Sequence, residues 1–389
     1  MSVKEIGIER KKYADILDSN ISAFLNGAGK NIVLLGGRKS GKSTIAKRLM
    51  KTEKNIAVVY VDFGKISMSP ESFAVEFIGA ICWQFLHEPV SEYKNFMGLD
   101  NLLKYALEMK SARAHEILKS IQNEISKIKP DQRLLAQLAF NFSYALADEK
   151  GIKILLILDN FENIFDLNNF EQIKDIISLV NFNHESVKYI AASSAQTDVK
   201  RHLRNFEFLE IQNFDKNEIM EIVKKATGKA DNKLAEIILE LSKGVPIAAN
   251  EILKNLNEKN GLIEKNDASA SFFSQLLCKN GVLYNYCHDS LNYYLNRTRG
   301  QVLSKIILKV IASEKELRLS DIARKIYRSA PVTKSLLERL ISADIIYRKD
   351  NKFYFYDPML KLWLKLSSMG YEFDDEMDEK NFKEVLELI

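Results

Sequence analysis

The sequence predicts an α/β core followed by a smaller α+β module, and three stretches carry that expectation. An apolar run, Ile32 to Leu35, feeds a glycine-rich turn and then a helix whose apolar groups (Ile45, Ala46, Leu49) have helical spacing. A second apolar run, Ile154 to Leu158, reads as a strand buried on both faces and ends in Asp159. Near the other end, three helical patterns precede two short strands that turn at Asp350-Asn351.

The first stretch contains Gly36-Gly37-Arg38-Lys39-Ser40-Gly41-Lys42-Ser43, followed by Thr44, which fits the phosphate-loop spacing G-x-x-x-x-G-K-[ST] in full and in the required strand–turn–helix context. Glycine at Gly36 and Gly41 lets backbone N–H groups point inward around a phosphate. The helix beginning near Ser43 aims its positive dipole end at the same anion. Lys42 would reach the β- and γ-phosphates of ATP, and the Ser43 hydroxyl would enter the Mg²⁺ shell.

A chain of 389 residues with 46% hydrophobic content has room for two or three domains with ordinary cores. No apolar run approaches a membrane span, and the charged MSVKEIGIERKK is not a signal segment, so no membrane association and a cytoplasmic location are expected. The three cysteines, Cys82, Cys278 and Cys287, have no metal-ligand spacing with the five histidines and read as structural. The net charge of +4 is unevenly spread: Arg297 to Lys365 holds sixteen Lys/Arg against seven Asp/Glu, a net of +9, and Leu366 to Ile389 has a net of −6.

Taken in order, a lead-in helix is expected over Glu9 to Asn26 and a second strand over Ile56 to Val61, ending in Asp62. A helix starts at Ser69, and a mostly helical stretch continues to Asp148. Its Trp83, Phe85 and Phe96 read as core rather than as a stacking platform. Asp159 lies at the C-terminal end of a central strand, where an open α/β sheet presents ligand groups, and downstream of a phosphate loop such an acid holds Mg²⁺ through its water shell. Val187 to Ala192 forms a further strand running into Ser193-Ser194-Ala195-Gln196, where Ser194 would sense the γ-phosphate or orient water, or else simply begin a turn. Phe206 to Ile211 gives a fifth strand, followed by helices over Asp215 to Ala226 and Asn232 to Ser242, ending at Gly244-Val245-Pro246.

In this order the features resemble the archaeal P-loop ATPases of the STAND branch, relatives of the AAA+ and Orc/Cdc6 initiator proteins. IGIERKKYADIL is similar to a degenerate Gly-Arg-Glu entry motif, LLGGRKSGKST to the phosphate loop, KILLILDNFE to the acidic strand, AASSAQ to the sensor strand, and LSKGVPIAAN to the Gly-x-Pro motif of a helical lid. ADIIYRKDNKFYFYDPMLKLWLK resembles the family's winged-helix ending. The likeness implies an ASCE-type P-loop NTPase with a parallel five-stranded sheet, its sensor strand between the phosphate-loop and Asp159 strands. It also implies nucleotide contact near Pro246. Asn160 stands where the family places a glutamate directly after the magnesium aspartate, and Glu162 lies two residues on. Asn holds a water but cannot accept its proton at neutral pH, so the resemblance implies slow hydrolysis unless Glu162 reaches the water. An ATP-dependent switch fits better than a fast motor. Arg201 and Arg204 are candidates for a trans-acting arginine by position alone.

The expected domains are a core over 1–212, a lid over 213–256, a linker and connector over 257–296, a winged helix over 297–366 and an acidic tail over 367–389. The polar stretch Asn255 to Ser271 reads as a linker. Helices over Gln301 to Ala312, Ser320 (N-cap) to Tyr327 and Pro331 to Ser342 precede strands Ile345 to Arg348 and Lys352 to Tyr356. Thr333, Lys334 and Arg339 on the third helix would face the major groove of double-stranded DNA, with Arg348, Lys349 and Lys352 on phosphates. A protein partner, a homo-oligomer or docking on the chain's own ATPase domain would serve the module equally, and the acidic residues Glu372 to Glu379 could compete for its basic surface.

Overall fold

The computed structural model describes residues 10–51, 56–85, 98–257, 265–314 and 316–388. Ile6 to Glu9 of the entry motif and Phe96 lie outside them. The chain divides into two compact units, one over Glu9–Gly36 and Gly41–Ile211, the other over Gln212–Ile389 together with Gly37–Ser40.

In the first unit, helix α1 (Lys11–Leu25) precedes strand β1 (Ile32–Leu35), and helix α2 (Lys42–Arg48) leads to β2 (Ala57–Asp62). Helices α3 (Pro70–Phe85), α4 (Leu99–Glu108), α5 (Ala112–Ile125) and α6 (Gln132–Lys150) form the long helical stretch. Strands β3 (Ile154–Asp159) and β4 (Val187–Ser193), helix α7 (Gln196–His202) and strand β5 (Glu207–Glu210) complete the unit. The order β2-β3-β4-β1-β5 is parallel throughout, with β4 between β3 and β1 as the resemblance implied.

Period-two alternation divides the sheet between two cores. Ile32 and Leu34 of β1 join Leu155 and Ile157 of β3 against Tyr13, Leu17 and Ile21 of α1 and Ile45 of α2. Val33, Leu35, Leu156 and Leu158 face the other way, into a core that includes Phe73 and Phe77 of α3 and Phe140 of α6. All six residues of β3 are buried, which explains its unbroken apolar run. Each buried Leu or Ile contributes roughly 1.5–3 kcal/mol relative to exposure. Trp83 and Phe85 pack against this second core, as expected. Phe63, directly after β2, stacks on Phe161 at 6.1 Å between ring centroids and also meets Phe73 and Phe77. The C-terminal ends of β2 and β3 are therefore anchored to each other.

The second unit contains α8 (Lys216–Thr227), α9 (Asn232–Ser242), α10 (Pro246–Asn257), α11 (Lys265–Leu277), α12 (Val282–Asn296) and α13 (Gln301–Ser313). It continues through α14 (Leu319–Lys325), α15 (Ala330–Ser342), the hairpin β6 (Ile346–Lys349) and β7 (Lys352–Phe355), α16 (Pro358–Ser368) and α17 (Glu379–Glu387). Asp215 and Glu218 form a capping box on α8. Asp350 (φ 50°) and Asn351 (φ 60°) are both left-handed, the geometry of a two-residue hairpin turn.

The stretch read as a linker is helical on both sides of residues 258–264, which lie outside the described ones, because Ala268, Phe272 and Phe273 form a narrow buried stripe in a polar sequence. One hydrophobic core runs from Phe214 to Val385 and includes residues of the expected lid, connector and late module. Helix α14 starts after Arg318, whose backbone N–H donates to Asp321 Oδ2 (3.2 Å), and Ser320 is inside the helix rather than its N-cap. The acidic tail packs within its own unit: Asp374 pairs with Lys279 at 2.6 Å, and the Leu388 carbonyl accepts from Lys365 Nζ at 2.7 Å.

Candidate functional site

Strand β1 lies one strand away from β3, roughly 10 Å across the sheet, and both run in the same direction. Their C-terminal ends therefore open on the same edge. From Leu35 the chain turns through Gly36 to Gly41, where Gly41 has φ +94°, a conformation that a side chain would strain. Ser40 N–H donates to Gly37 O (3.3 Å) inside the turn. Lys42 opens α2 yet is only 6% exposed. Its Nζ donates to Gly36 O (3.0 Å) and to Ser194 Oγ (3.0 Å), so the ammonium is held against the loop and the end of β4. Ser43 is half-buried beside it, while Lys39 and Thr44 are exposed.

Asp159 is 4% exposed and accepts from the Tyr60 hydroxyl on Oδ2 (2.5 Å) and from Asn160 N–H on Oδ1 (3.0 Å). Burial, and secondarily the bond to Asp159, raise the Tyr60 pKa, so the phenol keeps its proton and remains the donor. Asp62 pairs in register with Asp159 on the neighbouring strand. Asn160 is left-handed (φ 50°), and its Nδ2 donates to Asp62 Oδ1 (2.7 Å). Glu162 turns toward β4: Ser193 Oγ donates to its Oε2 (2.6 Å), and Ser194 N–H lies 3.3 and 3.4 Å from its two oxygens. The segment after β3, the end of β4 and the glycine-rich loop are thus joined by one chain of contacts, Glu162 to Ser194 to Lys42.

No protein-family model matches the sequence, and no curated protein matches it at a significant level. Among solved structures, the chain is similar to a Walker-type ATPase of Pyrococcus abyssi, with TM-score 0.64 and 16% identity over 92% of this chain and 96% of that one. The fold is that of a P-loop NTPase. RuvB of Thermotoga maritima (TM-score 0.40, 15% identity, 94% and 96% of the two chains) and Cdc6p of Pyrobaculum aerophilum (0.40, 13%, 94% and 95%) also match, at scores too low to carry an argument.

On this P-loop NTPase fold the donor set suits a magnesium nucleotide. Among the described residues no group of three or more His, Cys, Asp and Glu could hold a metal alone. A divalent ion here would depend on the Ser43 hydroxyl, Asp159 and phosphate oxygens, as Mg²⁺ does. Asp62, Tyr60 and Ser193 were not singled out from the sequence. The signal for Asp62 was present in VVYVDF, an acid ending its strand just as Asp159 does.

Arg38 is half-buried in the loop, and Arg201 and Arg204 are exposed after β4. Pro246 is buried at the first turn of α10 in the second unit. Thr333 corrects the groove-facing expectation: it is fully buried, and its hydroxyl donates to Ser329 O (3.0 Å), so it serves the core of α15. Lys334, Arg339, Arg348 and Lys349 are exposed, whereas Lys352 is half-buried and bonded to Glu316. Among the described residues no helix is long and apolar enough to cross a membrane.

Proposed function

We propose that this chain binds ATP with Mg²⁺ at Gly36 to Ser43, hydrolyses it slowly and uses the nucleotide state as a switch for its C-terminal module, read as a winged helix. The observation that carries the reading is the buried Lys42 ammonium held at the mouth of a complete phosphate loop. In this reading the loop amides and Lys42 take the β- and γ-phosphates, and Ser43 and Asp159 take the magnesium shell. Ser194 reports the γ-phosphate, because the hydroxyl that holds Lys42 Nζ must rearrange when a phosphate takes that ammonium. Glu162 fixes Ser194 from behind and Asn160 replaces the usual glutamate, which supports slow turnover over a motor's rate. Measuring phosphate release tests this: turnover should vanish in Lys42→Ala, and full turnover in that variant would remove the assignment.

A second reading, DNA binding by the module, is favoured by the exposed Lys334, Arg339, Arg348 and Lys349 within a segment of net charge +9. Titrating duplex DNA at several salt concentrations should give a steep fall in affinity with salt. A flat, weak response would favour a protein partner instead. Arg201 and Arg204 supply candidates for a trans-acting arginine if copies of the chain assemble on nucleotide.

A further inference from the structure

Resting on the ATPase reading above, we propose that the carboxylate orienting the attacking water is Asp62, with the Asn160 amide as the positioning group that holds it. Asn160 occupies the place after Asp159 where the resemblance puts a carboxylate, and a carboxylate stands opposite it on β2. The two groups have exchanged strands.

The site edge carries three acids, and their partners separate them. Asp159 receives the Tyr60 hydroxyl and the Asn160 N–H and belongs to the cation. Both Glu162 oxygens face donors from Ser193 and Ser194, which makes it a brace for β4. Asp62 receives Asn160 Nδ2 (2.7 Å) and Gly64 N–H (3.0 Å) on the same oxygen, Oδ1. Its Oδ2 has Lys65 Nζ at 3.9 Å, beyond hydrogen-bond distance, and the side chain is 19% exposed. A carboxylate offers about four lone-pair sites, so Asp62 keeps acceptor capacity for a water.

Neighbouring groups hold this pair. Phe63 N–H donates to Asp159 O (2.9 Å), and the Phe63–Phe161 stack fixes the residues next to Asp62 and Asn160. A Cβ on Gly64 would come within 3.0 Å of Asn160 Nδ2 and 3.1 Å of Asp62 Oδ1, so the glycine keeps their meeting point clear. In the step assigned to Asp62, the water oxygen bonds to the γ-phosphorus while the bond from that phosphorus to the β–γ bridging oxygen breaks. ADP leaves with that electron pair, and the water proton passes to Asp62 and on to solvent.

The test uses the full chain, with Mg-ATP affinity from calorimetry and kcat and KM from phosphate release. Asp62→Asn should lower kcat roughly a hundredfold or more while affinity stays within about threefold. Asp62→Glu, which keeps the charge but displaces it, should lose about tenfold in kcat at unchanged affinity. Asn160→Ala should lower kcat without raising KM, and Glu162→Gln should cost less than Asp62→Asn. The exchange Asp62→Asn with Asn160→Glu, returning the carboxylate to β3, should recover most of the lost kcat. Wild-type kcat in Asp62→Asn, an exchange variant as inactive as Asp62→Asn alone, or a wild type that binds Mg-ATP without turnover each overturns the proposal. A wild type that binds no nucleotide overturns the ATPase reading instead.

Discussion

Replacing Lys42 by methionine separates stability from ligand binding. The side chain is 6% exposed and its Nζ meets two acceptors at 3.0 Å, so the apo protein bears the desolvation of a charge kept for a ligand. Methionine of similar length removes that penalty and leaves two acceptors short of a donor, opposing effects that should leave apo stability within about 1 kcal/mol. With Mg-ATP the variant differs sharply. At a hundred times its Kd, a ligand adds about 2.7 kcal/mol. For a unit of about 200 residues this raises Tm by roughly 5–11 °C. Charge-assisted hydrogen bonds of about 1.5–3 kcal/mol each are lost with the ammonium, so at the same ATP concentration the rise should fall below about 2 °C. Thermal unfolding of both proteins with and without Mg-ATP measures this. A variant that keeps the full nucleotide-dependent rise would refute the role given to Lys42.

Three further outcomes are expected. Ser194→Ala, which removes the hydroxyl between Lys42 and β4, should lower kcat by about ten- to a hundredfold in a phosphate-release assay while Mg-ATP affinity changes only a few-fold. Phe161→Ala should cost roughly 3–5 kcal/mol in urea unfolding, since its ring is fully buried against Phe63, and turnover should fall further than the folded fraction explains because Asn160 and Asp62 lose their anchor. Tyr144 is pushed up to about 12 by burial, so the folded state keeps a proton that the unfolded chain loses above about pH 10. Its contribution is full below pH 10 and lost as pH rises toward 12, at about 1.4 kcal/mol per pH unit, and Tyr144→Phe should make that alkaline decline shallower in denaturant titrations.

The phosphate loop, the β3 strand and the hairpin turn were legible because each is a local pattern: glycine spacing, an apolar run, two turn residues. Thr333 was also legible in principle, since Thr333, Leu336, Leu337 and Leu340 follow the i, i+3, i+4, i+7 spacing of a buried stripe. Asp62 was visible as an acid ending its strand, but its pairing with Asn160 was not legible. It depends on β2 lying beside β3, which brings Asp62 to Asn160 across 98 residues of sequence, and no local period encodes that adjacency. The shared core of the second unit escaped for the same reason, because polar composition around Asn255 to Ser271 hid apolar groups that are buried only once the helices assemble.

On the proposed reading, a buried ammonium in a glycine turn receives a triphosphate. Isothermal titration of the full chain with ATP and magnesium tests it most directly. Saturable one-to-one binding that disappears in Lys42→Ala is the predicted result, and a titration with no heat above dilution in the wild-type chain would contradict it.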